Sequence, residues 1–290
     1  MKIDTHQHYW RYLPEEFGWI SDDMPVLQRD CMPADCETQM HFAGVDRVVA
    51  VQARSVERET DFLLKLAAEH PHIAGVVGWA DLAEPGLADR LDRWMHNPAF
   101  RGLRHILQDE PDVPVIVQSA AFQAGMAALQ ARRLTYDVLV YAHQLPQVLD
   151  FCARFDAHWL VLDHLGKPDL KQWREGSPAD AQWYAELQAL AALPHVMCKL
   201  SGLVTETGCK GQSAPTLQDE RAIHACYDRA LKLFGPHRLM FGSDWPVCQL
   251  AAPYEAVLSL TESWAQSRLT DVEQQNFWSG NAIQCYGLAL

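Results

Sequence analysis

The chain opens Met-Lys-Ile-Asp-Thr-His-Gln-His, and His6 and His8 are the first residues whose type and spacing could do chemistry. Lys2 to His6 has the pattern of a short strand. Strand side chains alternate between faces, so His6 and His8 share one. Two imidazoles one step beyond an apolar strand can reach a single metal ion or a single carbonyl oxygen. On its own the pair is a weak signal, equally readable as a turn that carries two histidines.

Other reactive side chains recur at comparable places. Arg104 and His105 end an apolar run, His143 follows another, and His164 closes Trp-Leu-Val-Leu-Asp-His. Lys199 and Ser201 end a further run, and Asp244 stands in Met-Phe-Gly-Ser-Asp-Trp-Pro. Positioning them requires elements that all finish at one end of the molecule.

The periodicity predicts such elements. Strands are expected over 2–6, 46–52, 73–82, 100–107, 136–142, 158–164, 195–201 and 238–244. Helices are expected over 37–43, 56–70, 86–96, 115–132, 145–155, 180–192 and 219–234, with more helix to the end. A segment of about 28 residues after His8 lacks clear periodicity and suggests a lid or binding loop. Strand–helix alternation implies parallel strands with right-handed crossovers. Eight units over 290 residues favour a single-domain α/β fold, the closed (β/α)₈ TIM barrel spanning residues 1–290, over an open sheet. No Gly-x-Gly-x-x-Gly follows the first strand, which speaks against a dinucleotide fold.

Composition narrows the partners. Apolar residues make up 49% and charged residues 21%, as in a globular protein, and a net charge of −13 argues against nucleic acid and anionic membrane. There is no apolar run of spanning length and no secretion signal, so a cytoplasmic location is expected. The eight cysteines contain no Cys-x-x-Cys pair, and reduced thiols fit that compartment.

In a β/α barrel the active site lies at the C-terminal ends of the strands. His6 and His8 at strand 1, His164 at strand 6 and Asp244 at strand 8 all fall there. Asp-Thr-His-Gln-His, Val-Leu-Asp-His-Leu-Gly-Lys-Pro and Met-Phe-Gly-Ser-Asp-Trp-Pro together resemble the amidohydrolase superfamily. The segment from Gly102 to Asp112 and Gln144-Leu-Pro146 narrow the likeness to its sugar-lactonase branch, typified by L-fuconolactonase and L-rhamnonolactonase. The resemblance covers nearly the whole chain. It implies the (β/α)₈ fold, hydrolysis, and a site centred on His6, His8, His164 and Asp244. Binuclear members carry a bridging lysine on strand 4, where this chain has Arg104 and His105, so at most one zinc is implied.

Opening a lactone needs a polarised carbonyl, an activated water and a proton for the leaving alkoxide. With metal, His6, His8 and Asp244 would hold one Zn²⁺. Without it, His6, His8 and His164 would donate to the oxyanion. In both versions Asp244 is the base that returns its proton to the ring oxygen, with His164 as its catalytic partner. The expected substrate is a small aldono-lactone such as L-fucono- or L-rhamnono-lactone. Arg104, His105, His143, Lys199, Trp245 and Trp19 are candidate substrate contacts. Glu110 could reach the site from the loop after strand 4, although a solvated acid is the default. Asp4 is expected to share the inward face of His6 and to make a structural contact. The alternatives are a hydrolase of a carboxylated lactone or amide, a metal-dependent decarboxylase, and a non-catalytic barrel that binds sugar or metal. The sequence leaves the oligomeric state open.

Overall fold

The computed structural model describes residues 1–171, 175–208 and 214–289. Eight strands form one parallel sheet in sequence order: β1 Ile3–Gln7, β2 Arg47–Val51, β3 Ile73–Gly78, β4 Phe100–His105, β5 Thr135–Val138, β6 Leu160–Leu162, β7 Val196–Leu200 and β8 Leu239–Phe241. A parallel bridge between Gln7 and Trp245, just past β8, brings the last strand back to the first. His8 N donates to Trp245 O at 2.8 Å and Asp244 N to His6 O at 2.9 Å, so closure and site assembly are the same event. The fold is the expected α/β TIM barrel.

The main surrounding helices are α1 Pro33–Phe42, α2 Arg58–Glu69, α3 Leu87–Trp94, α4 Val113–Gln118, α5 Ala120–Ala131, α6 Leu145–Arg154, α7 Pro178–Ala191, α8 Leu203–Glu206, α9 Leu217–Phe234, α10 Tyr254–Arg268, α11 Asp271–Gln275 and α12 Asn281–Tyr286. The helix expected over 115–132 is two helices. Ser119 adopts an extended conformation, and its side chain accepts from Phe122 N, which ends α4 and caps α5. Among the described residues no helix is long and apolar enough to cross a membrane.

Two apolar clusters divide the work. The larger fills the space between strands and helices. The smaller lies inside the barrel, where Ile3, Val49, Val77, Val161, Met197 and Met240 pack against Ala282, Cys285 and Tyr286 of α12. This apolar floor lets the next layer up be charged. Arg104, Asp137, Asp163 and Lys199 are all buried there and point inward from β4, β5, the end of β6 and β7.

Strict alternation fails in β1. Asp4 pairs with Val48 but Gln7 pairs with Ala50, so three residues on β1 span two on β2. Val48 and Ala50 belong to the outer cluster, and Asp4 and Gln7 face outward with them. Asp4 therefore does not share the inward face of His6. Its carboxylate accepts from Gln7 Nε2 at 2.7 Å, Ser243 N at 2.8 Å and Tyr254 Oη of α10 at 3.3 Å. It is structural, as expected, but by hydrogen bonds on the helix side.

Candidate active site

At the C-terminal mouth, β6 ends earlier than its apolar run suggests. Leu162 is the last strand residue, and His164, Leu165 and Lys167 follow with φ of 53°, 54° and 50°. This left-handed turn is strained for residues that carry a Cβ. It turns His164 over the barrel while Trp183 Nε1 donates to Leu165 O at 3.0 Å and holds the turn from outside. Asp244 also has a positive φ, 61°. Two glycines leave the room needed. A Cβ on Gly242 would fall 2.7 Å from the His6 Cβ, and one on Gly202 (φ 68°) would fall 2.4 Å from His164 Nδ1.

The result is a tight group. His6 Nε2 lies 3.1 Å from His8 Nε2 and 3.7 Å from Asp244 Oδ1. His8 Nε2 lies 3.3 Å and His164 Nε2 4.0 Å from the same oxygen. The hydrogen-bond partner of His8 sets its tautomer. His8 Nδ1 faces Val51 O at 2.9 Å; a carbonyl only accepts, so the proton is on Nδ1 and Nε2 presents a lone pair. Cationic donors face both ring nitrogens of His6: Arg104 Nη1 lies 3.3 Å from Nε2, and Lys199 Nζ lies 3.2 Å from Nδ1, which is also 3.4 Å from Asp163 Oδ1. His164 Nδ1 and Ser201 Oγ are 2.8 Å apart.

Two imidazole nitrogens and a carboxylate oxygen that lie within 4.8 Å of one another make a donor set for a cation. His6, His8 and Asp244 fit one metal ion, with the Val51 carbonyl orienting His8 and Asp163 beside His6. His6, Asp163 and His164 form a second geometric group, but Asp163 is already held by Arg104 Nη1 at 2.9 Å and Lys199 Nζ at 3.1 Å.

Electrostatics follow from burial. The His164 imidazole is pushed down to about 4 by burial, so it is neutral at pH 7. Burial also pushes His6 well down, with Lys199 and His164 adding to it against Asp163. Burial alone would raise Asp244, but the imidazoles of His164, His8 and His6 outweigh it and hold the carboxyl well below the usual range. Below them, Lys199 Nζ bonds Asp137 Oδ2 at 2.6 Å and lies 3.2 Å from His6 Nδ1. Burial opposes its charge, but Asp137 and Asp163 outweigh burial and keep it an ammonium.

A cavity of about 660 Å³ opens above this group, with His8, His164, Asp244, Arg104 and Trp19 in its wall. Trp19 is fixed by its Nε1 donating to Ala53 O at 2.9 Å. Four expected substrate contacts lie outside that wall. His105 alternates away from Arg104, packs edge-on to Phe122 of α5, and bonds Glu110 at 2.6 Å. That contact also occupies Glu110. His143 is exposed and stacks on Tyr141, with centroids 5.9 Å apart. Lys199 is fully buried beneath His6, and Trp245 is fully buried against Tyr9.

Sequence reasoning passed over other groups. Asp137 and Asp163 carry the charged layer, and a lone acid inside the apolar runs Tyr-Asp-Val and Val-Leu-Asp was the available signal. Lys167 lines the cavity with its Nζ 5.2 Å from the Tyr141 ring centre. Burial lowers its ammonium, against the pull of Glu206, Asp244 and Asp109. Gln52 was missed as well; its Oε1 and carbonyl take three Arg104 donor contacts at 2.6–3.1 Å.

The sequence profile described as Amidohydrolase matches residues 3–288. The chain belongs to the amidohydrolase family. Among curated relatives, this amidohydrolase is 52% identical to an L-fucono-1,5-lactonase of Burkholderia multivorans, over 99% of this chain and 96% of that one. It is 33% identical to an L-fucono-1,5-lactonase of Burkholderia ambifaria, over 98% and 95%. An amidohydrolase from B. multivorans solved with bound zinc superposes with a TM-score of 0.95, at 52% identity and 100% coverage of both chains. In this amidohydrolase the inward residue late on β4 is Arg104, and its guanidinium is committed to Asp163, Gln52 and His6. It leaves no place on β4 for the lysine that bridges two metals in binuclear members.

Proposed function

We propose that this amidohydrolase opens a sugar-acid lactone, of the L-fucono- or L-rhamnono-lactone class, to the free acid. The observation that carries the reading is the 52% identity to an L-fucono-1,5-lactonase across 99% of the chain. The cavity supports it. Its wall sets Arg104, Lys167 and Lys171 against Asp109, Glu206 and Asp244, which suits a neutral polyhydroxy ring better than a substrate with its own carboxylates. Arg104 is also engaged within the protein by Asp163 and Gln52.

We assign zinc to His6, His8 and Asp244; bound there, it would supply Lewis-acid polarisation of the carbonyl and a water acidified toward neutrality. The chain's residues do the rest. Asp244, ionised across the working range, accepts the proton of the attacking water at a carboxylate oxygen and passes it to the ring oxygen as the C–O bond breaks. His164, neutral and fixed by Ser201, orients the carbonyl through Nε2. Lys167 offers N–H donors to substrate hydroxyls and to the carboxylate that forms, and Trp19 presents a flat face to the ring. Lys199, Asp137 and Asp163 hold His6 from below and do not touch substrate.

The test is acid release, followed with a pH indicator, from L-fucono-1,5-lactone and from L-rhamnono- and L-galactono-1,4-lactone. Stereoselective release on this panel supports the reading. A flat panel with turnover of a carboxylated lactone, or with release of carbon dioxide from an aromatic acid, overturns it.

A further inference from the structure

The opposite end of the barrel carries a second, differently charged concavity. Two clefts of about 730 and 280 Å³ meet around the N-terminal ends of β2, β3, β4 and β5 and share Asn97, Pro98 and Arg101. The larger is lined by Arg47, Arg93 and His96, the smaller by Arg132, Arg133 and His158. Among the described residues no carboxylate lines either cleft. In a chain with 37 acidic and 24 basic residues, that segregation is against composition.

Arg101 is at the junction. Its side chain is half-buried, and its Nε is fully enclosed without a hydrogen-bond partner. The guanidinium forms no ion pair or hydrogen bond with any described residue, and burial lowers it with no acid to compensate. Enclosing the Nε donor without a partner costs free energy, which an anion at the guanidinium would offset. Its stem packs over Gly75, where an added Cβ would stand 3.3 Å from its Cγ. Around it, some cations are already matched: Arg132 by Asp92 at 2.6 Å and Arg93 by Asp61 at 3.7 Å. Arg133 has no ion pair among the described residues, and its charge helps to push the nearby His158 imidazole down, after burial.

We propose that this floor cleft is a binding site for a compact organic anion of the phosphate or carboxylate type, with its head on Arg101. A small tetrahedral or planar head suits a half-buried guanidinium, which grips it with two parallel N–H donors. The larger lobe supplies an apolar wall from Ala67, Pro71, Ile73 and Ala74 for the body attached to that head. The site is at the far end of the barrel from Asp244 and is independent of the lactonase reading.

The experiment is calorimetric titration of inorganic phosphate into the full chain at fixed ionic strength, for the native protein, Arg101→Met and the double variant Arg47→Gln/Arg133→Gln. Methionine keeps the buried stem without the charge, and far-UV circular dichroism checks folding. The expected result is saturable binding at one site, weakened about tenfold or more in Arg101→Met, as for loss of a charge-assisted hydrogen-bond pair. The double variant, whose changes lie nearer the surface, is expected to weaken binding even if Arg101→Met does not fold. Absence of saturable binding overturns the proposal. So does binding that both variants retain, which would place the phosphate elsewhere, for example on the cations of the catalytic cavity.

Discussion

Lys199 Nζ lies 2.6 Å from Asp137 Oδ2 and 3.2 Å from His6 Nδ1, so the base of the histidine cluster rests on a buried ion pair. With Arg104 and Asp163 this layer balances two cations against two carboxylates inside the barrel. It supports the histidine cluster from below.

Lys199→Met leaves Asp137 and Asp163 facing each other with Arg104 alone to compensate. Removing one partner of a buried pair typically costs about 3–5 kcal/mol. Urea denaturation should show a loss of that size, together with reduced turnover from a displaced His6. A variant as stable as the native protein would mean that the layer is dispensable.

Stability should depend on His164 in acid. Its imidazole titrates near 4 in the native state against 6.5 for the free group. Between those values the unfolded chain takes up a proton that the folded chain refuses. The contribution is complete above pH 6.5 and is lost as pH falls toward 4, amounting to about 3 kcal/mol in total. Denaturation at pH 7 and pH 4.5 should therefore show a steeper loss for the native protein than for His164→Asn. Equal losses would show that His164 titrates normally.

Gly202→Ala places a methyl group 2.4 Å from where His164 Nδ1 now stands, on a backbone with φ 68°. The imidazole must move and its contact with Ser201 must break. Turnover is expected to fall about tenfold or more, with a stability loss of about 1–3 kcal/mol. Native kinetics in this variant would separate the His164 position from catalysis.

Zinc titration reads the donor set apart from activity. One equivalent should bind to the native chain, and His8→Ala, which removes one of three convergent ligands, should weaken it about tenfold or more. Unchanged affinity in that variant would move the ion away from His6, His8 and Asp244.

Much of this was legible in the sequence because parallel barrels write long apolar runs that end in polar residues at the catalytic face. His6, His8, His164, Asp244 and Arg104 were found that way, and the structure gathers them at one mouth. What was not legible depended on local breaks in periodicity. The irregular register between Asp4 and Gln7 turned Asp4 outward, and only pairing with β2 reveals it. Simple alternation already separates His105 from Arg104, and helix α5 receives the outward one. The acids Asp137 and Asp163 look like isolated polar residues until Lys199 and Arg104 arrive from other strands. His143 follows β5 on the sequence but is exposed and stacks on Tyr141, outside the cavity wall.

The central claim is that Asp244, gathered with His6 and His8, moves the proton in lactone opening. The direct measurement is acid release from L-fucono-1,5-lactone by the native protein and by Asp244→Asn, with thermal melting as the fold control. The account predicts fast release by the native protein and a loss of about a thousandfold or more in the variant, the scale of general acid–base catalysis. A folded Asp244→Asn that keeps most of the native rate would contradict it.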